Sequence, residues 1–286
     1  MKAAHYITIA VAVTLIALLY WGGNTIPPAK KPGADKQQAN AGQMAQGPNT
    51  MKPASFDSLN TASIARLPKT AADTVKTIEN ELAAIRDSSR MAVVFYKLFG
   101  VWGRNKFPAI ANFYSGRAAK LEKSGKKLTF AGQIFLELMQ NEQNASVQLW
   151  EAQEAVSCLE LSGSIDPTNE ETKLALATAY IEGTKEPMRG VQILRDITAQ
   201  KPDDVPANML LGRMSIQSGQ FDKAVKRFET VLNKEPENKE ALYFAAQAYE
   251  GAGDKKKAIE LLEKCKVVVN DPQFSKDVDA KINTLK

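Results

Sequence analysis

Apolar residues follow three patterns along the chain. Residues 6–21 read YITIAVAVTLIALLYW, sixteen positions without a charge. With Ala3, Ala4, His5 and Gly22 the run reaches the roughly 20 residues that span a bilayer as a helix. From residue 23 to 69 the chain turns to Pro, Ala, Gln, Gly, Asn and Lys, with few large apolar residues between Ile26 and Phe56. Too little apolar surface is present there to offset the entropy of ordering, so a flexible linker is predicted over 23–69. Beyond it, Val75, Ile78, Leu82 and Ile85 recur at three- and four-residue steps, the spacing of an amphipathic helix. Similar stretches cover 91–99, 109–121, 128–139 and 145–161, separated by Gly100, Gly103, Pro108, Ser124-Gly125 and Asn141. No run alternates as a strand does. The pattern predicts an all-α fold, with divergent helical hairpins over 70–165.

The C-terminal part, 166–286, repeats itself. Lys201-Pro202-Asp203-Asp204 recurs 34 residues later as Glu235-Pro236-Glu237-Asn238. In the same register Ala207–Gly212 aligns with Ala241–Ala246, and Gly219–Ala224 with Gly253–Ala258. Small residues such as Gly212 and Ala224 suit close approach of antiparallel helices. Asp222 and Asp254 suit helix starts. One such hairpin leaves an apolar face open and must stack on a neighbour.

These residues resemble the tetratricopeptide repeat (TPR) family. Leu211, Gly212, Ala224, Phe228 and Pro236 fall on its pattern in one unit, and Leu242, Ala246, Tyr249, Ala258 and Leu262 in the next. An earlier unit starting at Glu171 fits more loosely, with Leu174, Leu194, Ile197 and Pro202 in place and Thr178 and Gly190 departing. The resemblance covers about 166–270. It implies a right-handed α-solenoid of about three units with a C-terminal helix, whose concave groove accepts a peptide or a partner helix. The groove residues it implies are Met209, Arg213, Ile216 and Gln217 in one unit and Tyr243, Gln247 and Glu250 in the next. Some family members clamp a C-terminal carboxylate with Lys and Asn. Met209, Arg213 and Tyr243 stand at those places here, so the full clamp is absent.

Tyr6, Tyr20 and Trp21 flank the apolar run, as aromatic rings do at membrane interfaces. Lys2 would also suit a cleaved signal peptide, but Tyr20 and Trp21 precede Gly22-Gly23 at the end of the run. Residues 1–22 therefore read as an anchor or uncleaved signal in preference to it. Lys2 and the short N-terminus favour an exported soluble part, although Lys30, Lys31 and Lys36 weigh on the other side. The layout is similar to that of single-span TPR proteins that assist secretion, envelope assembly or cytochrome maturation. It implies a bacterial inner-membrane protein anchored through residues 3–22, with a periplasmic soluble domain and protein or peptide partners.

Charge and rare residues narrow the chemistry. The net charge is +5, but residues 1–70 carry +5, 71–127 carry +6 and 128–286 carry −6. A basic total therefore gives no continuous nucleic-acid surface, and no nucleic acid is expected. The single histidine, His5, leaves no Ser-His-Asp or Cys-His arrangement in the folded part. Cys158 and Cys265 form no metal set and read as buried helix residues. Catalytic residues, metal and cofactor are all expected to be absent. Residues 86–127 carry ten Lys/Arg against Asp87 and Glu122, interleaved with aromatics such as Phe95, Trp102 and Phe113. That stretch reads chiefly as core rings with solvated cations, and secondarily as a surface for an acidic partner or anionic lipid. Lys255-Lys256-Lys257 reads as a solvated helix start. A ligand site over 71–165 would need Glu137, Glu142, Glu151 and Glu154 to converge, yet their spacings are those of ordinary helix surfaces. A structural homo-oligomer is the remaining alternative.

Overall fold

A computed structural model describes residues 52–286, among which there are thirteen α-helices and no strand. They are α1 (Phe56–Ile64), α2 (Lys69–Ala84), α3 (Ser88–Arg104), α4 (Pro108–Leu121), α5 (Gly125–Asn141), α6 (Ala145–Ile165) and α7 (Glu170–Gly183). There follow α8 (Pro187–Gln200), α9 (Val205–Gln217), α10 (Phe221–Lys234), α11 (Lys239–Gly251), α12 (Lys255–Val269) and α13 (Pro272–Leu285). From α3 onward they pair as hairpins, α3 with α4 through α11 with α12, and each hairpin stacks on the next.

The repeat is written most plainly in the helix caps. Asn169, Asp204 and Asn238 each accept a hydrogen bond from the backbone N–H three residues on, at 2.9 Å. Asp271 does the same for α13 at 2.7 Å. A capped N–H satisfies one of the donors that a helix start otherwise leaves open. The caps therefore restart a first helix at near-regular intervals, and α13 opens a further unit that has no second helix among the described residues. Asp254 caps α12 as predicted, through the Lys257 N–H at 2.9 Å. Asp222 instead stands within the first turn of α10. Gly219 and Gly253 end the turns at φ +69° and +88°, a left-handed backbone that glycine adopts without strain.

Burial is local, as stacking requires. One core gathers Leu98, Trp102, Phe113, Phe135 and Trp150, another Leu194, Ile197 and Leu211, and a third Phe228, Leu242 and Leu262. The first helices α5, α7, α9 and α11 contact one another in sequence, whereas α8, α10 and α12 stand further apart. The stack therefore curves towards its first helices, which line the inner face.

The linker ends earlier than its composition predicts. Residues 56–64 form α1, whose Phe56 stacks on Phe113 with ring centroids 3.6 Å apart and meets Tyr114 edge-on at 5.6 Å. Ala54 N–H donates to the Ser146 carbonyl at 2.8 Å. Phe56, Leu59, Ile64 and Leu67 supply the apolar contacts that the Pro- and Gln-rich sequence before them lacks. The anchor expected at 1–22 and most of the linker lie outside the described residues. Among those described, no helix is long and apolar enough to cross a membrane.

Candidate functional site

Four first helices contribute to one groove of about 700 Å³ on the inner face. Gln140 comes from α5, Ile181 and Glu182 from α7, and Glu240 from α11. Leu210, Arg213, Met214 and Gln217 come from α9. Glu182 sits at the centre of a polar ladder. Its carboxylate accepts from the Gln140 amide at 3.2 Å and meets the Arg213 guanidinium at 3.5 Å. Arg213 also lies 5.7 Å over the Phe244 ring. A cation held between a carboxylate and a ring face keeps its planar donors oriented towards the groove. The carboxamides of Gln140 and Gln217 both donate and accept, which is what a polypeptide backbone requires of a partner.

The expected groove residues divide. Arg213 and Gln217 line this groove. Met209 is 8% exposed and belongs to the C-terminal core with Phe228 and Leu242, and Ile216 packs against the same core. The open face of α9 thus runs through Leu210, Arg213, Met214 and Gln217, at steps of three and four, and not through Met209 and Ile216. Tyr243 is 44% exposed but leans towards α13, near Phe274 at 6.4 Å. Glu250 is bound to Lys281 of α13 at 2.7 Å, and Gln247 is exposed on α11. These three form a second, adjoining surface. Sequence reasoning missed Gln140, Glu182 and Glu240. The Asn169 cap is the signal that would have placed Glu182, thirteen residues on, in the register of Gln217 after Asp204.

The other candidates resolve into structure. Trp102, Phe113 and Tyr114 are buried. Among the cations interleaved with them, Lys97 pairs with Glu81 at 2.8 Å and Lys127 with Glu122 at 2.7 Å. Glu154 meets Lys120 at 3.9 Å. Glu151 is 2% exposed, so it offers no solvent-facing carboxylate. Lys257 pairs with Glu260 at 2.9 Å. Among the described residues no group of three or more His, Cys, Asp or Glu side chains is placed to hold a metal ion.

A curved stack of capped antiparallel hairpins with side chains converging on its inner face defines an α-helical repeat fold. Residues 215–267 match the family model described as tetratricopeptide repeat. No curated protein matches the chain. Solved structures similar to it include YrrB, described as a TPR protein with an unusual peptide-binding site, at 17% identity and TM-score 0.47. That match covers 66% of this chain and 92% of the other. MamA from Desulfovibrio magneticus RS-1, residue 41 to its end, is 18% identical with TM-score 0.49, covering 65% and 98%. PilW, described as a widely conserved type IV pilus biogenesis factor, is 17% identical with TM-score 0.49, covering 68% and 92%.

Proposed function

We propose that this protein is an interaction scaffold whose inner face binds an extended segment of a partner polypeptide. Tethering to a bacterial inner membrane through residues 3–22, with the repeats in the periplasm, completes the reading. In that setting the scaffold serves secretion, folding or assembly of envelope proteins. The observation that carries it is the ladder Gln140–Glu182–Arg213, which joins three hairpins and leaves amide and guanidinium donors beside the apolar Leu210 and Met214. Amides and cations placed beside apolar side chains suit recognition of a main chain and its alternate side chains, with no step of bond making.

Crosslinking of the full chain in its native membrane, followed by identification of the captured protein, tests the proposal. Arg213→Glu combined with Gln217→Ala should lower capture about tenfold while the helical circular dichroism is retained. Undiminished capture by the folded double variant would remove the inner face as the site. Loss of capture together with a change from oligomer to monomer would favour the structural homo-oligomer.

A further inference from the structure

Two seams between hairpins carry the same pair of side chains. Glu160 on α6, nine residues before the Asn169 cap, accepts a hydrogen bond from Tyr180 on α7, eleven residues after it. Glu229 on α10, nine residues before Asn238, accepts from Tyr249 on α11, eleven after. At the seam between them the same positions, counted from Asp204, hold Arg195 on α8 and Ser215 on α9. A guanidinium replaces the carboxylate and a short hydroxyl replaces the phenol.

The first seam holds a groove of about 790 Å³ whose lining includes Glu160 and Glu186 beside Arg189. The groove at the middle seam, about 410 Å³, lies on the second-helix side of the stack and shares only Met214 with the inner-face groove. Arg195, Lys223, Lys226 and Arg227 line it, and no carboxylate does. Among the described residues none of these four cations has an ion pair in which a carboxylate answers it. At the first seam, by contrast, Arg189 meets Glu160 at 2.9 Å. Arg227 donates to Asn208 Oδ1 at 2.9 Å, and burial first, then Arg195, lower its guanidinium below the usual value. Four like charges converging on one groove repel one another, and an incoming anion relieves that repulsion. Met188, 62% exposed, and Met214 give the groove an adaptable apolar part.

We propose that the middle seam docks an acidic, partly apolar peptide segment of a protein partner, whose carboxylates answer the Arg195 and Arg227 guanidiniums as Glu160 answers Arg189 in the first seam. The α8 and α10 flanks, from Met188 to Arg195 and from Lys223 to Thr230, run about 10 Å each, the length of about three extended residues. A free phosphate would leave the apolar part of the groove uncovered. Apart from Met214 the site shares no lining residue with the inner-face groove, so charge changes at Arg195 and at Arg213 address the two separately.

The test is fluorescence anisotropy of the full chain with a labelled peptide of about eight glutamate and leucine residues, against its lysine–leucine counterpart. The acidic peptide should saturate and the basic one should not. Arg195→Glu should weaken binding about tenfold and Lys226→Glu about threefold, since both change charge pairing at exposed positions. Arg195→Glu with Ser215→Tyr, which rebuilds the flanking pair, should keep the melting temperature and abolish binding. Arg213→Glu should leave it within about twofold, because its guanidinium faces the other groove. Equal binding by the rebuilt variant would overturn the proposal, as would no saturation by about 1 mM acidic peptide, a ceiling equivalent to about −4 kcal/mol. Displacement of the peptide by inorganic phosphate or dihexanoylphosphatidylserine at concentrations equal to its own would overturn it too, by assigning the groove to phosphate groups.

Discussion

Gly212 on α9 lies directly against the ring of Phe228 on α10, and a β-carbon at Gly212 would stand 2.6 Å from Phe228 Cζ. Phe228 is fully buried, so the ring has nowhere to move. At the equivalent position after the other two caps stand Ala177 and Ala246, where α8 and α12 carry Leu194 and Leu262 in place of the phenylalanine. The larger ring is accommodated by the smaller residue opposite. We predict that Gly212→Ala lowers stability by about 1–3 kcal/mol in thermal or urea unfolding, the usual cost of overpacking. Adding Phe228→Leu should recover part of that loss. An unchanged melting temperature for Gly212→Ala alone would show that the hairpin tolerates a wider separation.

Stability should fall with rising pH through neutrality because of one carboxyl. Glu151 Oε2 on α6 is buried without a hydrogen-bond partner. Burial first, and Glu142 second, push its carboxyl up from 4.5 to about 7. The fold holds the neutral form more readily than the unfolded chain does. Its contribution is therefore complete below the unfolded value and is lost as pH rises through about 7, by at most about 3 kcal/mol. Glu151→Gln should flatten the melting temperature between pH 5 and pH 8 and raise it at pH 8. A variant with the wild-type slope would place the titration elsewhere.

The docking of α1 centres on the Phe56 ring. Phe56 contacts Phe113, Tyr114 and Trp150 at centroid distances of 3.6, 5.6 and 6.4 Å. Truncation to alanine removes these contacts and leaves a space that the helix cannot fill. We expect Phe56→Ala to cost about 2–4 kcal/mol. Amide exchange in 56–64 should accelerate much more than exchange in α9–α12, because stacked hairpins sense mainly their neighbours. A uniform acceleration along the stack would refute local docking.

Both cysteines should be inert in the folded protein. Cys158 is buried beneath Gly116, and burial pushes its thiol up to about 11. Cys265 is buried on α12, and its thiol donates to the Lys239 carbonyl at 3.5 Å. Alkylation by iodoacetamide at pH 7 should be at least about 100-fold slower in the native protein than in denaturant, since the thiolate is both scarce and shielded. Rapid native labelling of either would mean that its helix opens.

Much of the architecture is legible in residue order. The period of 34 residues, the small residues at helix crossings and the absence of strand alternation specify stacked hairpins, because each of those features acts within one or two adjacent helices. Asp254 was recognisable as a cap for the same reason. The boundary at 69 misled because composition averages over a window, and Phe56 and Leu59 are too few to alter it until Phe113 and Trp150 are placed opposite. The inner-face register was displaced by one residue at Met209. A helix shows several apolar positions around its circumference, and only the neighbouring α10–α12 layer decides which of Met209 and Leu210 is covered.

The local sequence by itself determined where helices start and stop, that they pair, and that the pairs repeat, since caps, turns and 3.6-residue periodicity are short-range interactions. Tertiary structure alone decided which side chains meet: that Glu182 collects Gln140 and Arg213 from two other hairpins, that Glu151 is sealed from water, and that Arg195 faces a groove instead of a tyrosine. Those outcomes depend on distances between residues some twenty to forty-two positions apart, and such distances are fixed only when the hairpins stack and curve.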